Sequence, residues 1–131
     1  MFLRSETPAR LTGVEACRDF FADCMAGSAG VNGLWVAHVD GQARCIQLAA
    51  YPAGAVDGDL PVQKIIEQAA QLSSVGMVVA EHRTGDAPDV PAARAGLRQL
   101  SLAAEAMDVA VLDHLIFTGG ECTSLRRAGL L

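Results

Sequence analysis

Two short stretches of this chain, residues 75–80 and 109–112, are apolar or glycine at every position. A strand with one wet face alternates apolar and polar side chains, so runs that are apolar throughout belong to strands covered on both faces. Between them Pro91 opens a helical stretch reaching about Met107, and proline suits a first helical turn because the missing N–H has no partner there anyway. Covering two faces takes helices on both sides. The expected fold class is therefore α/β: a single-domain mixed β-sheet flanked by helices, which suits a chain of 131 residues.

The rest of the chain fills in that layout. Residues 1–11, with Pro8, read as an N-terminal arm, and residues 12–131 as the domain. Thr12-Gly13-Val14-Glu15 has the form of a capping box, in which hydroxyl and carboxylate satisfy two unpaired helix N–H groups. Cys17, Phe20, Phe21, Cys24 and Met25 follow at helical spacing. Residues 34–39 read as a strand, Asp40-Gly41 as a tight hairpin turn with positive φ at both positions, and residues 43–49 as the return strand. Asp59 is placed to cap a helix over residues 60–72, with Val62, Ile65, Ile66 and Ala69 on its inner face. Residues 81–89 read as a polar loop. The strand beginning at Val109 continues through Asp113-His114-Leu115-Ile116-Phe117, Gly119-Gly120 turns the chain, and residues 121–125 pair back.

Charge and cysteine usage exclude several function classes. Ten basic residues stand against 15 acidic ones, a formal net charge of -5 that repels phosphate backbones and anionic membranes. Only Arg126 and Arg127 are adjacent among the basic residues, so nucleic acid is not an expected partner. No apolar run approaches the roughly 20 residues of a membrane span, and charge at Arg4 and Glu6 interrupts any signal-peptide pattern. A cytoplasmic protein without membrane contact is expected. Cys17, Cys24, Cys45 and Cys122 form neither a C-x-x-C pair nor a zinc-finger spacing and read as reduced, apolar core thiols. There is no His-x-Glu with Pro-Cys-x-x-Cys for a zinc deaminase, no Gly-x-Ser-x-Gly elbow for a serine hydrolase and no phosphate-cradling loop.

Three stretches resemble a known family in order and spacing. They are Ala80-Glu81-His82-Arg83-Thr84-Gly85-Asp86, Leu112-Asp113-His114-Leu115-Ile116 and Ser124-Leu125-Arg126-Arg127-Ala128-Gly129-Leu130-Leu131. Together they are similar to the RadC-like branch of the JAB/MPN (JAMM) metalloprotease superfamily, whose corresponding stretches run His-Asn-His-Pro-Ser-Gly-Asp, Leu-Asp-His-Leu-Ile and Ser-Leu-Arg-x-x-Gly-Leu-Leu. The resemblance is clearest over residues 30–131 and implies a JAB/MPN-like fold. The helix-hairpin-helix module that precedes this domain in full-length relatives is not expected within these 131 residues, an expectation that also points away from DNA. The resemblance also implies a zinc hydrolase: two histidines and an aspartate hold the ion, water takes the fourth position at a pKa of about 7, and a glutamate removes its proton.

This chain departs from that pattern at most of the positions that matter. Ala80 stands for the first histidine, and His82 retains the second. Ala93 falls at the ligand aspartate and Val90 at its serine neighbour, while Gln47, Leu48 and Ala49 occupy the place of the glutamate. A structural zinc site is worth roughly 10–16 kcal/mol, or about 3–4 kcal/mol per ligand, so losing two ligands removes tight binding. The expectation is a non-catalytic member acting through protein contacts, as a homodimer or a partner-binding subunit, with no cofactor. The alternative is a zinc-dependent peptidase or isopeptidase with relocated ligands His82, Asp86 and Asp89. Glu81 and His82 are its catalytic candidates, although alternation along a strand turns Glu81 away from the face shared by Ala80 and His82. A DNA-repair role would rest on the family name alone. His38 and His114 read as buried histidines bonded to backbone, and adjacent strand positions keep Asp113 from pairing with His114 as a dyad.

Overall fold

The computed structural model describes residues 10–28, 32–52, 60–83, 90–118 and 121–129. Three helices and five strands follow in the order α1 (Val14–Ser28), β1 (Asn32–Val39), β2 (Cys45–Pro52), α2 (Val62–Leu72), β3 (Gly76–His82), α3 (Val90–Glu105), β4 (Ala110–Thr118) and β5 (Glu121–Ser124). The strands form one sheet in the order β2-β1-β3-β4-β5. Only β3 and β4 run parallel, with α3 as their crossover; the other neighbours are antiparallel. The mixed sheet and the succession of elements agree with the expectation from sequence. No helix among the described residues is long and apolar enough to cross a membrane.

Alternation along the strands divides the core into layers. On one face Cys17 and Phe21 of α1 pack over Trp35, Ala37, Val78, Ala80 and Leu115. On the other, Ile65 and Ala69 of α2 and Leu100 and Ala104 of α3 cover Leu34, Val36, Met77 and Val79. A smaller cluster of Leu97, Ile116 and Leu125 closes the β5 end. The first run is thus buried from both sides over residues 76–80, as a central strand requires, whereas the second is only partly covered, with Ala110 exposed and Val111 and Leu112 half-buried. Gly76 marks a close approach of strands: a Cβ there would lie 3.3 Å from the Ala110 carbonyl and 3.3 Å from Val39 Cγ2.

Four local expectations need correction. α1 begins at Val14, so Gly13, at φ +89°, and not Thr12 precedes its first residue, and Glu15 sits too early for a capping box. α2 begins at Val62 behind Pro61, which makes no side-chain cap; Asp59 lies outside the described residues. β3 runs on through His82, so Glu81 and His82 are strand residues and not the start of a loop. Arg10 and Leu11 of the expected arm are docked: Arg10 bridges Arg44 in the antiparallel sense, Leu11 N–H donates to the Ala43 carbonyl at 2.8 Å, and Leu11 is buried.

The hairpin between β1 and β2 is present, but its turn is wider than a two-residue one. Asp40 organises it. Oδ1 accepts from the N–H groups of Gln42 (2.8 Å) and Arg44 (3.0 Å), and Oδ2 pairs with Arg44 Nε at 2.9 Å. The positive φ, 61°, falls on Ala43 and not on Gly41. An alanine in this region suffers Cβ crowding that glycine avoids. Ala43→Gly is expected to raise stability by about 1 kcal/mol, read as a higher urea midpoint at unchanged slope.

Candidate functional site

The resemblance directs attention to the end of β3 and the strands beside it. Ala80 is completely buried, and its register partners are Trp35 on one side and Leu115 on the other. Trp35 in turn opposes Ala50 of β2, so the row across four strands is Ala50, Trp35, Ala80, Leu115. No side chain in that row can ligate a metal. His82 lies two residues on and is exposed, beside Phe117 in register. Asp86 and Asp89, its expected companions, lie outside the described residues. Among the described residues, no three His, Cys, Asp or Glu side chains come together to hold an ion. At the place of the family's glutamate, Gln47 is exposed opposite His38, Leu48 packs on the α1-side core, and Ala49 opposes Val36.

Glu81 faces away from Ala80, as alternation requires, and enters a buried network on the α2/α3 side. It is 1% exposed. Its Oε2 lies 3.0 Å from Nε2 of His114, which is fully buried, and Oε1 accepts from Arg83 Nε. Burial pushes the Glu81 carboxyl upward, but the hydrogen bond and charge of His114, followed by those of Arg83, outweigh it and hold the pKa below the usual carboxylate range. Ionised, Glu81 can only accept, so His114 Nε2 carries the proton between them. The partner of His114 is thus a side-chain carboxylate from the next strand and not backbone. This pair was missed because the residues are 33 positions apart. The available signal was that Glu81, near the end of one buried strand, and His114, in the middle of the next, are the polar interruptions of strands reading as neighbours.

Asp113 points to the opposite face and ties the end of the chain to the sheet. Its Oδ1 accepts from His114 N–H at 2.7 Å and Arg126 N–H at 3.1 Å, and its Oδ2 from the Ser124 hydroxyl at 2.7 Å. Arg126 Nη1 also donates to the Leu112 carbonyl at 2.9 Å, and Ser124 Oγ accepts from Arg127 N–H at 3.0 Å. The Leu112-Asp113-His114 and Ser124-Leu125-Arg126 stretches therefore meet each other. Their shared chemistry is structural. Asp113 also borders a cavity of about 380 Å³ between the start of α1 and β4, lined in addition by Leu11, Cys17 and Val78, but its oxygens already accept three hydrogen bonds.

The other titratable groups of the core are inert. All four cysteines are free. Burial raises each thiol above its ordinary value, Cys17 and Cys45 to about 11, which keeps them protonated and poorly nucleophilic. His38 is fully buried, and neither of its ring nitrogens has a hydrogen-bond partner among the described residues, contrary to the expected bond to backbone. Burial pushes its pKa down to about 4.

Two measurements follow from these environments. Glu81→Ala removes the acceptor of the buried His114 Nε2 and is expected to cost about 3–5 kcal/mol in chemical denaturation, with Glu81→Gln losing less because it keeps an acceptor for His114 Nε2. The His38 ring is neutral when folded but takes up a proton near 6.5 when unfolded, so stability is complete above pH 6.5 and declines toward pH 4. The decline from this residue is on the order of 3 kcal/mol. Urea midpoints between pH 7 and 4.5 should fall, and the fall should be smaller in His38→Leu.

Comparison with known proteins agrees with this architecture. The profile of the RadC-like JAB domain matches residues 11–130. UPF0758 proteins from two strains of Acidithiobacillus ferrooxidans are each 26% identical over 117 residues, which is 88% of this chain and 46% of each relative. The chain thus spans about half the length of the curated relatives it matches. With a match across nearly all of its length and the retained stretches accounted for by the sheet, this chain belongs to the RadC-like JAB domain family.

Proposed function

We propose that this chain is a non-catalytic RadC-like JAB domain that acts through protein contacts. The observation that supports it is the row Ala50, Trp35, Ala80, Leu115. Where the family resemblance calls for an anchoring histidine, a methyl group packs against an indole and an isobutyl group. A metal site needs several donors converging within about 2.0–2.2 Å of one point, and the described donors do not converge. The side chains at the place of the general base carry no carboxylate either. Zinc therefore does not fit the described residues, and no hydrolytic step is assigned to them. The network built on Asp113 and the pair built on Glu81 serve the sheet, so the domain keeps its scaffold independently of a metal. Partners are proteins or a second copy of the chain; the net charge of -5 disfavours nucleic acid, and a cytoplasmic location suits the free thiols.

Zinc analysis of the chain purified without chelator provides the test. Far less than one ion per chain is expected, with no gain in melting temperature on adding zinc. Stoichiometric zinc that disappears in His82→Ala would overturn the reading and favour a peptidase with relocated ligands. His82 is exposed, so this variant keeps its fold.

A further inference from the structure

We propose that the outer edge of β2 is a strand-addition surface, and that its occupant is β2 of a second copy of this chain, paired antiparallel about a twofold axis. Two five-stranded sheets then become one continuous sheet. This rests on the reading of the domain as a contact module and names its partner.

β2 is the last strand of the sheet, bonded to β1 along one side. On the other side, no strand among the described residues pairs with it. An edge of this kind presents a row of unpaired N–H and C=O groups, and proteins normally blunt it with lysine, proline, inward charges or a short strand. β2 has none of these protections in its interior. Its sequence, Cys-Ile-Gln-Leu-Ala-Ala-Tyr-Pro, holds no charged residue, and the only proline is the last residue. At eight residues it is longer than the usual strand of about 5–6. Ile46 is 37% exposed, and Gln47 and Ala50 beside it are also exposed.

Strand addition has already begun next to this edge. The antiparallel bridge of Arg10 to Arg44, with Leu11 N–H on the Ala43 carbonyl, lies immediately before the first residue of β2. Two occupants are then in competition for the rest of the strand. Residues 1–9 include Glu6 and Pro8, types depleted from strands, and a charge at Arg4. A second β2 instead brings Ile46 and Tyr51, which favour strands, and no charge. Two copies with net charge -5 repel each other over most of their surfaces, but a neutral strand facing its own image opposes no like charges. A twofold pairing is self-complementary by construction and closes at two chains.

Sedimentation of the full chain from low to high micromolar concentration tests the proposal. The mass is expected to rise from 13.6 kDa toward twice that value. Gln47→Lys and Ala50→Lys, both at exposed positions, are expected to keep the circular dichroism spectrum and weaken dimerisation about tenfold or more. Amide hydrogens of residues 45–51 that point to the outer edge are expected to gain protection as concentration rises. A monomer at every concentration, or a dimer indifferent to both lysines, would overturn the proposal. So would protection that ignores concentration and disappears when residues 1–9 are removed, because the edge would then belong to the chain's own N-terminal segment. None of these outcomes bears on zinc content, so failure here leaves the non-catalytic reading standing, and zinc uptake leaves the dimer standing.

Discussion

β3 and β4 lie parallel, side by side, with strands on both flanks and helices on both faces. Their backbone groups are satisfied only within the sheet, and their side chains must be dry on either side. That requirement dictates the remaining architecture. The parallel sense demands a crossover, which α3 supplies, and the crossover then covers one face with Leu97, Leu100 and Ala104. The opposite face falls to α1, through Cys17 and Phe21. Polar groups that enter this region are held by hydrogen bonds, Asp113 by Ser124 and Arg126 and Glu81 by His114 and Arg83, while the buried His114 Nδ1 has no partner among the described residues.

Much of this layout could be read from residue order. Apolar runs and helical spacing located the helices and the central strands, and turn residues located β2 and β5; burial on both faces leaves a pattern that needs no partner to be recognised. The boundaries were harder. Glu81 looked like the first residue of a loop because it is charged, yet a charge can remain in a strand when His114 and Arg83 neutralise it from positions that local reading does not connect. The turn after β1 looked like a two-residue hairpin because Asp40-Gly41 is a strong local signal. The Asp40 carboxylate instead spans to Arg44, and this longer reach moves the left-handed residue to Ala43. In both cases a side chain bonded beyond its own neighbourhood.

The candidate metal site was legible chiefly as a set of substitutions. Ala80 was identified from its spacing to His82, and its packing between Trp35 and Leu115 gives that substitution a physical content: the volume is filled by apolar contact. What the spacing could not reveal is that the retained Leu-Asp-His and Ser-Leu-Arg stretches touch. Their persistence therefore reports on how β4 holds β5, and it is separable from hydrolysis. His114, the one histidine inside a retained stretch, is committed to Glu81 and is inaccessible to a substrate.

One irregularity governs both polar sets. Between Met77 and Val78 the register of β3 against β4 slips, with Met77 opposite Val111 and Val78 opposite Asp113, so Leu112 is an extra residue in β4. That single inserted position decides which side chain meets α1 and which meets α3. Without it, Asp113 would turn toward the helix pair and His114 toward the opposite layer, and both acceptor sets would dissolve together. Length is therefore held more tightly than identity in this strand. A one-residue deletion here inverts the inside and outside of everything downstream, whereas most single replacements disturb only one neighbour.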